Sequence, residues 1–176
     1  MVSPRHENHS HQRHEASREA PCMRTLIIYP AEGKALEKVA QDLGKLLKRS
    51  FKGKMPTLMM LEELEHIQPF LDHDLIILGT ITMKDDIYWP LQVKVDAIIH
   101  EQVKADFSDK IFSAYTISND TTNAMRCIDA ALWTFQETNA HVAPGLVLVE
   151  DNSPSRLEEE LVSYSRALKE LRVTIK

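Results

Sequence analysis

The sequence predicts a three-layer α/β domain: a doubly wound parallel sheet of five strands with helices on both faces. Three observations predict it. Short apolar runs alternate along the chain with segments of helical period. The runs are apolar at nearly every position, as strands buried on both faces are. With 176 residues, 43% hydrophobic and 27% charged, the chain holds one core of ordinary size and shows no internal repeat.

Taken in order, the first segment stands apart from the rest. "MVSPRHENHSHQRHEASREAPC" has too little apolar surface to offset the entropy of ordering, so residues 1–22 are expected to be a disordered tail and 23–176 the domain. His6, His9, His11 and His14 are donors for a loosely held divalent transition metal, but their spacing implies no fixed geometry. A solvated tail is the simpler reading, and no metal ligands are assigned.

"TLIIY" (Thr25–Tyr29) reads as the first buried strand. A helix follows from about Lys34 to Arg49, with Leu36, Val39, Ala40, Leu43, Leu46 and Leu47 on one face. "KGKMP" breaks it, and "TLMML" (Thr57–Leu61) is the second strand. "EELEHIQPFLD" allows only a short helix or connector, interrupted by Pro69. "HDLIILGT" (His73–Thr80) is the third strand. The loop "ITMKDDIYW" leads to a helix opened by Pro90 in its first turn, with Leu91, Val95, Ile98 and Ile99 inward. "KIFSAYTIS" (Lys110–Ser118) is the fourth strand. Asn119, Asp120 and Thr121 offer caps for the helix carrying Ala124, Met125, Ile128, Ala131, Leu132 and Phe135. "GLVLVED" (Gly145–Asp151) is the fifth strand. Ser155 and Glu158 suggest a capping box for a last helix to about Arg172.

Composition excludes several classes of function. A formal net charge of -5 argues against nucleic-acid binding, which rests on a basic surplus. No apolar run approaches the ~20 residues of a membrane span, so no membrane association is expected. The polar N-terminus lacks a signal-peptide core, which makes the cytoplasm the default expectation. Cys22 and Cys127 are too few for a disulfide framework and read as plain thiols.

In an open parallel sheet, ligands sit beyond the carboxyl ends of the strands at the switch point. Three loops meet there: Pro30–Lys34, Thr80–Trp89 and Thr116–Thr122. The run Pro30-Ala31-Glu32-Gly33-Lys34-Ala35 after Tyr29, the run "DLIILGTITM" and the run "DKIFSAYTIS" before a long helix together resemble flavodoxins and the related flavodoxin-like quinone reductases. The resemblance covers Arg24 to Arg172 and implies the flavodoxin-like strand order 2-1-3-4-5. In the first loop the glycine and the helix start match the family's Ser/Thr-x-Thr-Gly-x-Thr, while its hydroxyl positions do not. In the second, Gly79, Thr80 and Thr82 agree and Ile81 replaces a proline. In the third no glycine follows the strand.

The resemblance implies FMN as cofactor. Its phosphate would lie against Ala31, Gly33 and Lys34, and Thr80 and Thr82 are further candidates for binding the cofactor. Tyr88 and Trp89 occupy the place of the family's ring-stacking aromatic, and such stacking contributes about 1 kcal/mol beyond burial. Thr116, Ser118 and Asn119 offer hydrogen bonds to ribityl or pyrimidine groups. Each has a plainer reading. Gly33 serves a tight turn, and Trp89 staples a helix. Thr116, Ser118 and Asn119 lie where helix caps form. A helix N-terminus suits phosphate, but Pro30 removes an N–H and Glu32 adds a like charge. At ~4 Å and an effective dielectric near 20, that contact costs about 4 kcal/mol.

Other chemistries of this fold find no residues. Glu32 stands alone in the first loop and no aspartate ends the third strand, which excludes a phosphoacceptor receiver. A lone glycine excludes a dinucleotide loop. Cys22 precedes the first strand instead of following it, against a cysteine phosphatase, and the dispersed histidines suit no cobalamin module. No catalytic set assembles. Two functions remain. One is an FMN-binding electron carrier or small reductase, working with a redox partner protein or a pyridine nucleotide, as monomer or homodimer. The other is a flavodoxin-like domain that has lost FMN and serves as an interaction or regulatory module. Glu32 and the missing hydroxyls favour the second; the aromatic pair and the whole-chain resemblance favour the first, and FMN binding is the expectation.

Overall fold

A computed structural model describes residues 22–51, 54–101 and 105–175. The N-terminal tail expected over 1–22, with its four histidines, lies outside the described residues except for Cys22. The elements run β1 (Thr25–Tyr29), α1 (Lys34–Ser50), β2 (Thr57–Met60), a 3-10 turn (Leu61–Glu63), α2 (Gln68–Leu71), β3 (Leu75–Gly79) and α3 (Trp89–Glu101). They continue with β4 (Ile111–Ile117), α4 (Thr121–Gln136), β5 (His141–Val142), β6 (Leu146–Leu148) and α5 (Pro154–Thr174).

All strand pairs are parallel, in the order β2-β1-β3-β4-β5, with β6 beside the second half of β4. This is the flavodoxin-like arrangement expected from the sequence. Period-two alternation sorts the strand side chains into two cores. Leu26, Ile28, Ile76, Leu78, Phe112 and Ala114 face α3 and α4. Ile27, Tyr29, Leu75, Ile77, Ile111 and Tyr115 face α1 and α5. Under α4 the aromatic packing is dense: Phe112 stacks on Phe135, and Phe70 meets both edge-on.

The fifth strand differs from the expectation. It starts earlier, at His141, and is split by Ala143-Pro144-Gly145, because Pro144 has no N–H for the ladder. The break is stitched from the side. Ala143 N–H donates to Phe112 O at 2.8 Å, and Ser113 Oγ donates to Pro144 O at 3.0 Å. Tyr164 of α5 in turn donates to Ser113 Oγ at 2.5 Å.

The last helix also starts differently. Its cap is Ser153, whose Oγ accepts from Arg156 N–H at 3.3 Å, and not the Ser155 box expected. Pro154 explains this: a proline fits best at the first helical position, which fixes the preceding residue as the cap. The other expected cap region resolves to Asp120, whose side chain accepts from Asn123 N–H at 3.1 Å.

Candidate functional site

The three loops predicted to meet do so at the carboxyl ends of β1, β3 and β4. The first is a tight turn. Gly33 N–H donates to Pro30 O at 3.0 Å, and Gly33 then caps α1 with no side-chain contribution. Its φ of -93° is open to any residue, so glycine is here for room: a Cβ would meet Leu36 Cδ1 at 2.8 Å. Lys34 is exposed at the first position of α1.

Two carboxylates occupy this corner. Glu62, just past β2, accepts the Ala31 N–H with both oxygens, at 3.2 and 3.3 Å. Because β2 lies beside β1, its end falls next to the loop after β1. Glu32 accepts a hydrogen bond from the Tyr88 hydroxyl. Burial, and then the Glu32 carboxylate, push the Tyr88 phenol well above its ordinary range, so it donates at any physiological pH.

The second loop is held by α4. Asp85 N–H donates to Asn123 Oδ1 at 3.1 Å, Met83 N–H to Cys127 Sγ at 3.4 Å, and Cys127 Sγ to Asp86 O at 3.5 Å. Asp85 sits at φ 55°, a left-handed turn that aspartate tolerates. The aromatic pair is divided by this loop. Tyr88 is 7% exposed and packs in the core beneath α3. Trp89 is 54% exposed, its indole N–H donating to Asp86 Oδ1 at 3.0 Å. Trp89 lines an open groove of about 650 Å³ between α3 and the segment after β2.

The remaining candidates are engaged locally. Thr80 is buried, its N–H donating to Tyr115 O at 3.0 Å. Thr82 and Thr116 share a hydroxyl–hydroxyl bond of 3.0 Å. Ser118 Oγ accepts from Asp120 N–H at 2.9 Å, and Asn119 Oδ1 from Asp151 N–H at 3.0 Å. So Ala31, Gly33, Lys34, Thr80, Thr82 and Thr116 do line one end of the sheet, while Ser118 shapes its own turn and Asn119 ties the loop after β4 to the turn after β6. Sequence reasoning missed Glu62. "EELE" reads as a solvated face, and only the strand order, which sets the end of β2 beside Ala31, gives it a role.

This donor set does not fit the phosphate of FMN. A phosphate dianion needs N–H and O–H donors, or cations, converging on it. Here Ala31 N–H already serves a carboxylate, a second carboxylate adjoins it, and residues 30–34 carry no hydroxyl. Among the described residues, no group of three or more His, Cys, Asp or Glu is placed to hold a metal, and no helix is long and apolar enough to cross a membrane.

No protein-family model matches the chain. No curated protein sequence matches it either. Solved structures do match. Flavodoxin 2 from Bacillus cereus aligns at 22% identity over 84% of this chain and 99% of its own, with a TM-score of 0.62. A WrbA-like flavodoxin from Agrobacterium tumefaciens aligns at 18% identity over 88% and 99%, with a TM-score of 0.64. A point mutant of the flavodoxin from Pseudomonas aeruginosa aligns at 20% identity over 84% and 99%, with a TM-score of 0.62. The chain therefore has the flavodoxin-like fold.

Proposed function

We propose that this flavodoxin-fold domain works without a resident FMN, as a protein-interaction module. One observation carries the reading: the Ala31 N–H at the switch-point corner is taken by the Glu62 carboxylate, with Glu32 anchored beside it by Tyr88. A protein can bind a phosphate through a helix N-terminus only where the potential there is positive. Two acidic side chains at one corner reverse that sign. Of the hydroxyls that would otherwise reach a flavin chain, Thr82 and Thr116 bond each other and Ser118 holds the turn to Asp120.

A second reading is an FMN-dependent electron carrier or small reductase. It is supported by the α1 N-terminus, to which Gly33 contributes no side-chain cap. There Lys34 and backbone N–H groups would hold the phosphate once both carboxylates had swung away, and FMN would supply the redox chemistry.

The test is the visible spectrum of the purified chain after incubation with excess FMN and removal of the unbound portion. The interaction-module reading expects a colourless protein. Flavin bands retained at about one per chain would overturn it in favour of the second reading.

A further inference from the structure

We infer that the groove beside α3 is a docking site for a basic amphipathic helix of another protein. This rests on the interaction-module reading and names the partner's chemistry. Trp89, Val93 and Ala97 are exposed along one row of α3, with Val93 at 61%, while Leu64 and Ile98, both buried, close the groove from below. These positions are four residues apart, so they form a straight ridge. From Trp89 to Glu101 the row runs about 18 Å, or roughly three turns of a partner helix.

The wall is rigid before anything binds. The Trp89 indole is fixed by Asp86. On the far side of α3, Gln92 and Asp96 are tied to Thr134 of α4. An exposed aromatic held in place loses little entropy on binding, which is what makes tryptophan an effective anchor.

Charge selects the occupant. Glu65 and Glu101 stand on the groove's rim, with Glu62 beside them, its carboxylate held on Ala31. The groove's one lysine among the described residues, Lys94, is half-buried and keeps its charge, the ammonium donating to Leu61 O at 3.0 Å and Glu62 O at 3.3 Å, so the carboxylates outnumber it. The rim therefore presents carboxylates around an apolar floor. Its complement is an apolar stripe flanked by Lys or Arg. The groove is lined by α3 and residues 62–65 and not by the free edge of β2, so it offers no strand to pair with. An occupant must satisfy its own backbone, and a helix does so where an extended peptide does not.

The probe is a synthetic helical peptide of about 14 residues, leucine on one face with flanking lysines. It is titrated by calorimetry, and by tryptophan emission in a Trp133→Phe background so that Trp89 alone reports. The expected result is one peptide per chain with a blue shift of the emission. Trp89→Ala and Val93→Asp should each weaken binding about tenfold. The second adds negative charge, so its loss isolates the apolar contact. Glu65→Gln with Glu101→Gln should weaken it comparably, while Glu158→Gln with Glu159→Gln on α5 in the opposite layer should leave it unchanged.

Equal binding of a peptide with glutamate for every lysine, an equal loss from the α5 pair, or no binding at all would overturn the proposal. A concentration-dependent dimer that shields Trp89 in sedimentation and emission would also overturn it, making a second copy the occupant. FMN retention is read separately by absorbance. A yellow protein that binds the peptide sinks the cofactor-free reading alone; a colourless one that ignores the peptide sinks this proposal alone.

Discussion

Glu62 sets the chemistry of the corner because a carboxylate cannot share its N–H donors with a phosphate. That gives a gain-of-function prediction. Replacing Glu62 by Ala frees the Ala31 N–H, and Glu32→Thr exchanges the second charge for a hydroxyl. The double variant should bind FMN at least about tenfold more tightly than the parent, even after solvent screening of both exposed glutamates. Fluorescence quenching of FMN checks it; unchanged affinity would mean that the carboxylates are bystanders. Tyr88 makes a separate prediction. Its ring is buried in the core under α3, and its hydroxyl holds Glu32. Tyr88→Phe keeps the ring and loses only the bond. Because Glu32 is exposed and regains water, the cost should be about 1 kcal/mol in chemical denaturation. A cost above about 3 kcal/mol would show that the hydroxyl supports more than this one contact.

At the scale of elements, the break in the fifth strand is the feature with the most particular packing. A Cβ on Gly145 would stand 2.4 Å from Ile128 Cγ2 and 3.0 Å from Ala114 O, so α4 and β4 both approach the backbone there. Gly145→Ala should therefore cost about 2–3 kcal/mol by overpacking, measured as a lowered denaturant midpoint at constant m-value. A neutral effect would show that α4 shifts freely away from the sheet. The same region shows what the sequence makes legible and what it does not. β1, β3 and β4 are continuous buried strands, and their apolar runs place them to within two residues at each end. β5 and β6 are short, and each faces a different half of β4. The run Gly145–Asp151 announces the strand seen at Leu146–Leu148, but His141–Val142 ahead of Pro144 is too short to carry a signal of its own, and its pairing comes from β4. The start of α5 is ambiguous for a similar reason: serine at 153 and at 155 both fit a cap, and Pro154 between them decides. The corner is half legible. Glu32 announces a charge where phosphate would lie, but its partner Tyr88 and the bond from Ala31 to Glu62 join residues 56 and 31 positions apart. No local pattern encodes such contacts. They follow from strand order, which places the ends of β1, β2 and β3 side by side.

Across the whole molecule, carboxylates held by hydrogen bonds make stability depend on acid. Asp74 at the start of β3 receives three bonds from Arg24 ahead of β1: from N at 2.9 Å, from Nε at 3.2 Å and from Nη2 at 3.1 Å. Burial alone would raise the Asp74 carboxyl; the side-chain and backbone bonds from Arg24 outweigh it and leave the group below its ordinary range. Asp106 is lowered by bonds from Ser108 and Asn139, and Asp120 by the side chain and backbone of Asn123. A carboxyl whose folded value lies below its unfolded value of about 4 binds its proton first in the unfolded chain. Its stabilisation is complete above about pH 4 and is lost as pH falls through the folded value. Melting temperature should thus change little through these groups between about pH 5 and 7, then fall steeply below about pH 4. Asp74→Asn tests the largest link, because it removes the charge while preserving the shape. At about pH 7 the variant should melt about 3 °C below the parent. The gap should close as pH falls from about 4 through the lowered folded value of Asp74, where the parent's carboxyl takes up its proton as well. A gap of constant size from about pH 7 to about pH 3 would mean that the loss comes from the amide NH2, which cannot accept from Arg24, and not from the charge on Asp74.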